Sequence, residues 1–449
     1  MRATSVQTVA LILMMTAVAV TTPAAEKGVE KGTDFRFTKL DLSLLEQADA
    51  MDQKLEREGM VYHDDAMEAY LNRVGRAMLP TGGAPERVKW EFRIVRDPMP
   101  NAFAVPNGSI YVTSGLLSLM ENEDQLAGVL AHEITHVTDR HAYLAFRSYR
   151  KKAAIANIAA IAASAAPGGS AWGLAIQIAG SMVPVVMMAS VTGYSRELER
   201  DADMYAYGKL EEGGYDPKEL VNSFRLLERM DEVNADKVYY NDHPKLDDRI
   251  GYMNDLISSK PPIMVPADVL SGRKSKYLGV TEPVVREDIH LAILSHRPRT
   301  ALARAKKLAD FHPESAANLC AEADAYRALG PWTPRPSDDE LSKSGKKKEA
   351  SVKKKFTSEE EDRHLLEQDE GQSAWKENQR LADEIYQKAL SLDPGNAKTY
   401  LGLGQLYEET GRKKEALAAY QKYLELQPNA LDHQVIQGRI AVLQRSLTH

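Results

Sequence analysis

The chain has 449 residues, of which 43% are hydrophobic and 27% are charged, and its formal net charge at pH 7 is -7. This length argues for two or more domains, and the composition is that of a globular protein, so disorder can only be local. The weak net charge gives no electrostatic reason to expect a nucleic acid as partner. The single cysteine, Cys320, excludes an intrachain disulfide and a cysteine-based metal cluster.

Residues 1–25 have the pattern of an export signal. Arg2 precedes an apolar run over residues 9–20, and small residues follow it before Glu26. The run is shorter than the roughly 20 residues that a membrane-spanning helix needs. We therefore expect a cleaved signal peptide and an exported protein, with an uncleaved membrane anchor as the alternative.

The segment after the signal predicts helices followed by a strand and a hairpin. Apolar residues at spacings of three and four predict helices from about 40 to 79. Alternation of apolar and charged residues over 88–94 predicts a half-buried strand. Two short extended runs, 102–105 and 109–113, flank the turn signal at 106–108, which predicts a hairpin that leads into a helix.

The stretch HEITH, from His132 to His136, has the spacing of two metal ligands. Asn122 is a suitable N-cap for the helix that contains it. Residues four apart project from the same helix face, so both imidazoles can reach one ion. Glu133 can reach a metal-bound water without itself binding the metal. For the nearby His141 we expect a hydrogen-bonded structural role.

A second helix is expected to supply the third ligand, because a catalytic zinc has three protein ligands and keeps a position for water. Glu199 and Asp203 lie four residues apart on a helical pattern that ends at 213–214. Glu199 can complete the ligand set, and Asp203 can accept the free ring N–H of a zinc histidine. An exposed, charged helix face is the alternative for Asp203. The sequence thus predicts one zinc ion per chain.

An apolar segment over residues 152–192 separates these two helices. Its first stretch is too short to cross a membrane and its second is about long enough. Gly, Ala and Ser dominate, and Gln177 and Pro184 interrupt the pattern. We expect two helices that pack over the active site or touch a membrane surface, with transmembrane insertion as the alternative.

Together, HEITH and SRELERDAD resemble the gluzincin metallopeptidases, the family of the CAAX prenyl protease and the heat-shock protease HtpX. Three more stretches match in the family's order: NAFAVPNGSIYVTSGLL, the small-residue apolar segment, and DHPKLDDRI. The resemblance covers about 40–256 and is greatest to periplasmic members. It implies an α+β fold, in which a mostly helical zinc metallopeptidase domain over 40–260 contains a small β-sheet.

The resemblance also implies roles for individual residues. The zinc ligands would be His132, His136 and Glu199, with Glu133 as general base and Asp203 supporting a ligand. An extended substrate peptide would lie on the edge strand of the hairpin, at Asn101, Ala102 and Phe103.

Two further residues belong to the DHPKLDDRI element. In periplasmic relatives a histidine at the position of His243 approaches the zinc, where it would either gate the metal or assist catalysis. The turn signal around it also allows a simple helix-entry role. Arg249 would contact the substrate or a carboxylate of the site.

The C-terminal part of the chain has the tetratricopeptide-repeat pattern. Pro394 and Pro428 are one 34-residue period apart, and the other repeat positions are occupied by Tyr400, Leu403, Gly404, Tyr407, Ala416 and Tyr420. We expect an α-solenoid made of first repeat helices over 284–330 and repeats over 376–445. A linker is expected over 261–283, and a solvated, largely disordered insertion over 331–375 would interrupt one repeat.

Two functions are compatible with these patterns. The first is a zinc endopeptidase of the bacterial periplasm that acts on unfolded or misassembled proteins, with repeats that recruit substrate or a partner such as the outer-membrane assembly machinery. The second is a chaperone or scaffold with a regulatory or structural zinc. Glu133 favours the first, because a structural zinc site needs no base beside its ligands.

Overall fold

The computed structural model describes residues 37–82, 87–148, 194–233, 246–261, 263–330 and 358–448. Helices surround a small sheet in its first part. The helices are α1 (Lys39–Arg57), α2 (Asp65–Ala77), α3 (Ser114–Leu119), α4 (Glu123–Thr138), α5 (Arg196–Glu212), α6 (Lys218–Val233) and α7 (Leu246–Ser259). The strands are β1 (Val61–Tyr62), β2 (Glu91–Val95), β3 (Ala102–Ala104) and β4 (Ser109–Thr113). The second part is helical, with α8 (Ala267–Leu294), α9 (Pro298–Phe311), α10 (Ala316–Ala328), α11 (Ser358–Leu392), α12 (Ala397–Glu409), α13 (Lys413–Leu426) and α14 (His433–Thr448). The predicted α+β class is confirmed.

The sheet has the strand order β1-β2-β4-β3, so β3 lies at an edge. β3 and β4 pair antiparallel as the predicted hairpin, with Phe103 opposite Tyr111, while β2 and β4 pair parallel. The hairpin turn requires a glycine at Gly108, which has a φ of 99° and where a Cβ would approach the carbonyl oxygen of Lys89 to 2.6 Å. The strand that follows Asn101 is thus one of the two edge strands of the sheet.

The helix of the HEITH motif is the centre of the first part. Asn122 caps α4 by accepting a hydrogen bond from the Gln125 N–H at 2.9 Å, and every residue from Glu123 to Thr138 is buried. One side of the sheet packs on α4, and the shared core includes Phe92, Ile94, Ile110, Val112, Leu126, Leu130 and Ile134. Enclosure on all sides fixes the two histidines of the helix in position.

The prediction of a linker over 261–283 was wrong, because α8 begins at Ala267 and packs into the same core. Tyr277 is fully buried and its hydroxyl donates to the carbonyl oxygen of Leu117 at 2.7 Å. Pro283 lies inside α8. Because proline normally interrupts a helix, the sequence did not predict this one. The start of the repeats is thus part of the first domain's core, and the ion pair between Asp288 and Arg304 is buried beside it.

The prediction of a largely disordered insertion over 331–375 was wrong at its C-terminal end, because residues 358–375 form the first turns of α11. Residues 331–357 lie outside the described part of the chain. α10 and α11 pack together as the two helices of the predicted interrupted repeat, and the Tyr386 hydroxyl donates to Asp324 across them. The buried Cys320 belongs to their apolar contact, where burial raises the pKa of its thiol. A protonated, buried thiol is chemically inert.

The repeat glycines allow close helix packing. A Cβ at Gly402 would lie 2.5 Å from the Tyr386 hydroxyl oxygen, and one at Gly404 would lie 2.5 Å from the ring of Tyr420. Both tyrosines are fully buried. The small residue on one helix and the large one on its neighbour therefore set the spacing of α11, α12 and α13.

Candidate metal centre

Three side chains from α4 and α5 converge on one point. The Nε2 atoms of His132 and His136 are 3.1 Å apart, and the carboxylate of Glu199 lies 3.5 Å from the first and 3.8 Å from the second. All three residues are at most 4% exposed. Zinc bonds of about 2.0–2.2 Å in tetrahedral geometry separate neighbouring ligand atoms by about 3.4 Å. The donor types and their spacing therefore fit a zinc ion.

Glu133 lies beside this point. One ligand atom from each of His132, Glu133 and His136 lies within 4.8 Å of the others, and Glu133 is 3% exposed. The helix directs its carboxylate to the side of the cluster, since neighbouring residues on a helix diverge by about 100°. A buried carboxylate at this distance can contact a water beside the ion without replacing a ligand.

Asp203 sets the tautomer of His132. Its Oδ1 lies 2.9 Å from the Nδ1 of His132, so the ring donates its Nδ1 proton to the carboxylate. The lone pair of the Nε2 atom then faces Glu199 and His136, as a metal ligand requires. Asp203 is fully buried, and its place one turn after Glu199 on α5 is the one that the sequence predicted.

Arg249, on α7, contacts the two site carboxylates of α5, Glu199 and Asp203. Its Nη1 lies 3.0 Å from Glu199, and its Nη2 and Nε donate to Asp203 at 2.6 and 2.9 Å. The guanidinium also lies over the ring of Phe224, 4.2 Å from its centroid. Of the two contacts predicted for Arg249, the structure thus shows the one with site carboxylates. Its positive charge offsets the repulsion between two buried anions.

The charges of the cluster shift two pKa values. Burial and Arg249 act to lower the pKa of His132, but the carboxylates of Asp203 and Glu199 outweigh them and raise it to about 9. Burial acts to raise the pKa of Asp203, but Arg249 and His132 hold it below its usual value. In the metal-free site His132 therefore carries a second proton, on Nε2, at pH 7, and zinc must displace that proton to bind.

Two aromatic rings hold His136: a hydrogen-bonded structural role was predicted for His141, and none for Tyr194. Tyr194 stacks on the imidazole at a centroid distance of 4.0 Å and an angle of 15°. His141 places its Nδ1 2.8 Å from the Nδ1 of His136 and is fully buried. For His141, the only sequence signal was its proximity to HEITH. For Tyr194, it was the position just before the second helix.

The edge strand β3 lies against α4, close to the motif. The carbonyl oxygen of Asn101 accepts from the Thr113 N–H at 2.9 Å, Ala102 is buried, and Phe103 stacks on Tyr111 at 5.0 Å. The three residues that are predicted to bind substrate are thus held by contacts within the domain.

Several predictions fall outside the described residues. These are the signal peptide over 1–25, the apolar segment over 152–192 and the histidine His243. Among the helices that the structure describes, none combines the length and the apolar character needed to cross a bilayer.

A helix with two histidine ligands and a base, packed on a helix that supplies a carboxylate, defines the HExxH class of metallopeptidases with a glutamate as third ligand. Comparison with known families agrees: residues 65–257 match the model described as Peptidase family M48, and residues 380–437 match a tetratricopeptide repeat. Residues 65–257 are therefore similar to the peptidase domain of this family and residues 380–437 to a tetratricopeptide repeat, so the predicted resemblance is confirmed.

Individual relatives match over part of the chain. The mitochondrial metalloendopeptidase OMA1 of Schizosaccharomyces pombe is 30% identical over 194 residues, which are 42% of this chain and 52% of the relative. The metalloprotease YcaL of Escherichia coli is 32% identical over 159 residues, 35% of this chain and 59% of the relative. The beta-barrel assembly-enhancing protease of Yersinia pestis is 27% identical over 169 residues, 37% of this chain and 33% of the relative. This chain thus spans a third to three fifths of the length of these relatives.

Proposed function

We propose that the protein is a zinc-dependent endopeptidase that binds one zinc ion per chain and cleaves unfolded or misassembled proteins in the bacterial periplasm. The convergence of His132, His136 and Glu199, with Glu133 buried beside them, is the observation that carries this proposal. A zinc bound there would supply a Lewis acid that polarises the scissile carbonyl and makes a water more acidic.

Residues of the chain itself would carry out the proton transfers and hold the ligands in place. Glu133 takes a proton from the attacking water, the water oxygen bonds to the peptide carbon, and Glu133 returns the proton to the amine as the C–N bond breaks. Asp203 keeps the Nδ1 proton of His132 in place. Arg249 holds Asp203 and Glu199 where the ligand set needs them.

The substrate class follows from the edge strand. A peptide that pairs with β3 must be extended, because only an extended backbone can add a strand to a sheet edge. Folded proteins rarely expose such a segment, whereas unfolded ones do. Asn101, Ala102 and Phe103 are the residues that would meet the peptide, which favours unfolded or flexible substrates.

The repeats would recruit the substrate or a partner protein. A groove between α11 and α12 is open to solvent and mixes aromatic and charged side chains; it is lined by Trp375, Lys376, Gln379, Arg380, Asp383, Glu384, Gln387, Leu406, Tyr407, Thr410 and Arg412. Such a surface suits a peptide or a partner's helix. The name of the Yersinia pestis relative points to the outer-membrane assembly machinery as a candidate partner.

Fractionation of cells that make the full chain tests the proposed periplasmic location. Recovery of the protein outside the periplasm would contradict it.

Glu199→Ala should abolish stoichiometric zinc binding, because it removes one of three ligands. Zinc content by elemental analysis and cleavage of an intrinsically disordered protein, with and without a chelator, would be measured together. Glu197→Ala is the matched control, since Glu197 is an exposed carboxylate on the same helix, and it should keep both zinc and activity.

These measurements also separate the two functions. Full zinc content in the Glu199→Ala protein would contradict the third ligand. Suppression of aggregation without any chelator-sensitive cleavage by the wild type would favour the chaperone or scaffold.

We further propose, from the sequence, that His243 gates the metal as a fourth ligand. A fourth ligand closes the open position, so the resting enzyme would be weakly active until a substrate or partner displaces the imidazole. His243→Ala should then raise basal cleavage of an unfolded protein and weaken zinc binding. Lower turnover with zinc retained would instead indicate a direct part in catalysis.

A further inference from the structure

A tight turn after α4 brings His141 back against His136. The helix ends at Thr138, and Arg140 then adopts the left-handed conformation with a φ of 57°. If the helix continued, a residue five positions after His136 would point about 140° away from it. The contact between the two rings therefore depends on the turn.

The turn is held by a buried ion pair with the first helix. Arg140 donates to Asp41 through Nη2 at 2.6 Å and through Nε at 3.1 Å, and both residues are less than 9% exposed. Asp41 also accepts from the backbone N–H of Thr38 at 2.8 Å, which fixes the carboxylate. A left-handed conformation is unfavourable for a residue with a Cβ, so these contacts stabilise a backbone that would otherwise relax.

The hydrogen bond between the rings dictates where their protons lie. The Nδ1 atoms of His136 and His141 are 2.8 Å apart, so one of them carries the shared proton. The Nε2 of His136 faces His132 and must keep its lone pair free to bind a metal. The proton of His136 is therefore on its Nδ1, His141 accepts it, and a neutral His141 carries its own proton on Nε2.

The surroundings of His141 favour this arrangement. A ring nitrogen of His141 and carboxylate oxygens of Asp139 and Asp201 all lie within 4.8 Å of one another. Negative charge nearby stabilises a proton on His141, and because its Nδ1 already faces His136, that proton belongs on Nε2. His141 is fully buried, so bulk water does not decide between its tautomers.

We propose that His141 is a positioning residue for the metal centre: it fixes His136 in the tautomer and orientation that bind zinc, without being a ligand itself. This inference rests on the zinc site of the proposed function. It gives His136 a partner equivalent to the one that Asp203 provides for His132, so each histidine ligand is held at its Nδ1 by a residue outside the ligand set.

The test compares His141→Asn with His141→Leu. The amide oxygen of asparagine can occupy the position of Nδ1 and accept the His136 proton, whereas leucine fills a similar volume with no acceptor. Zinc affinity would be measured by competition with a chelating dye, and the ligand field by the absorption spectrum of the cobalt-substituted protein. The leucine variant should bind zinc about 10–100-fold more weakly, with an altered cobalt spectrum, and the asparagine variant should recover most of the affinity.

Thr135→Val is the matched control. Thr135 is buried on the same helix, next to His136, and its hydroxyl donates to the carbonyl oxygen of Ala131 at 3.0 Å. Its replacement removes a buried hydrogen bond without touching the histidine pair, so zinc affinity should not change. If the leucine variant does not fold, His141→Gln replaces it, because its longer side chain places the amide near the Nε2 position.

Wild-type zinc affinity in the leucine variant, or in the glutamine variant when that replaces it, would overturn the proposal. The proposal would also be overturned if the asparagine variant bound zinc no more tightly than the variant without an acceptor. Cleavage plays no part in these measurements, so they are independent of the peptidase activity. If the variants show the expected order of zinc affinities but the wild type cleaves no substrate, the positioning role of His141 would be supported and the proposed peptidase function contradicted.

Discussion

Glu133→Gln should lower turnover on an unfolded protein by about 10²–10⁴-fold while zinc remains bound, as expected when a general base is removed. Glutamine matches glutamate in shape but cannot take a proton from water. His132, His136 and Glu199 are unchanged in this variant, so metal content should match the wild type. Steady-state cleavage of a disordered protein and elemental analysis of the same sample provide the two measurements.

Glu121→Gln is the matched control, because Glu121 is an exposed carboxylate just before α4. It should cleave at the wild-type rate. If Glu133→Gln were equally active, Glu133 would not be the base. If it had lost its zinc, Glu133 would belong to the ligand set, and the assignment of Glu199 as third ligand would need revision.

The sequence predicted the parts of the site that regular helices determine. A spacing of four residues places His132 above His136 whatever the rest of the fold does, and the same rule places Asp203 one turn from Glu199. Nothing in the spacing shows that these two helices meet. The order of motifs shared with the resembled family supplied that step, and the packing of α4 on α5 bears it out.

The parts that the sequence did not predict depend on tertiary contacts. β1 has two residues and is a strand only because Val61 and Tyr62 pair with β2. α8 contains Pro283 and looked like a linker until its partners in the core were visible. His141 needed both a left-handed residue and an ion pair with Asp41, 99 positions before Arg140, which no local pattern encodes.

Asp41→Ala should reduce the free energy of unfolding by about 3–5 kcal/mol, because it leaves the Arg140 guanidinium buried without its anion. Denaturant unfolding of the metal-free protein would measure this directly. Zinc affinity should fall as well, since the ion pair holds the turn that presents His141 to His136.

A second substitution separates the ion pair from the rest of Asp41's contacts. In Asp41→Ala/Arg140→Gly the unpaired cation is gone, and glycine adopts the left-handed conformation without steric strain, so much of the lost stability should return. Zinc affinity should recover with it, because the turn is restored by a residue that needs no anchor.

Asp64→Ala is the comparison for simple loss of a helix cap. Asp64 caps α2 by accepting from the Met67 N–H at 2.8 Å, and losing such a cap costs about 1 kcal/mol. If Asp41→Ala were no more destabilising than Asp64→Ala, Asp41 would act only as the capping-box partner of Thr38, the N-cap of α1. The buried pair would then not be what holds the turn, and the position of His141 would have to come from the ring contacts with His136 and Tyr194 alone.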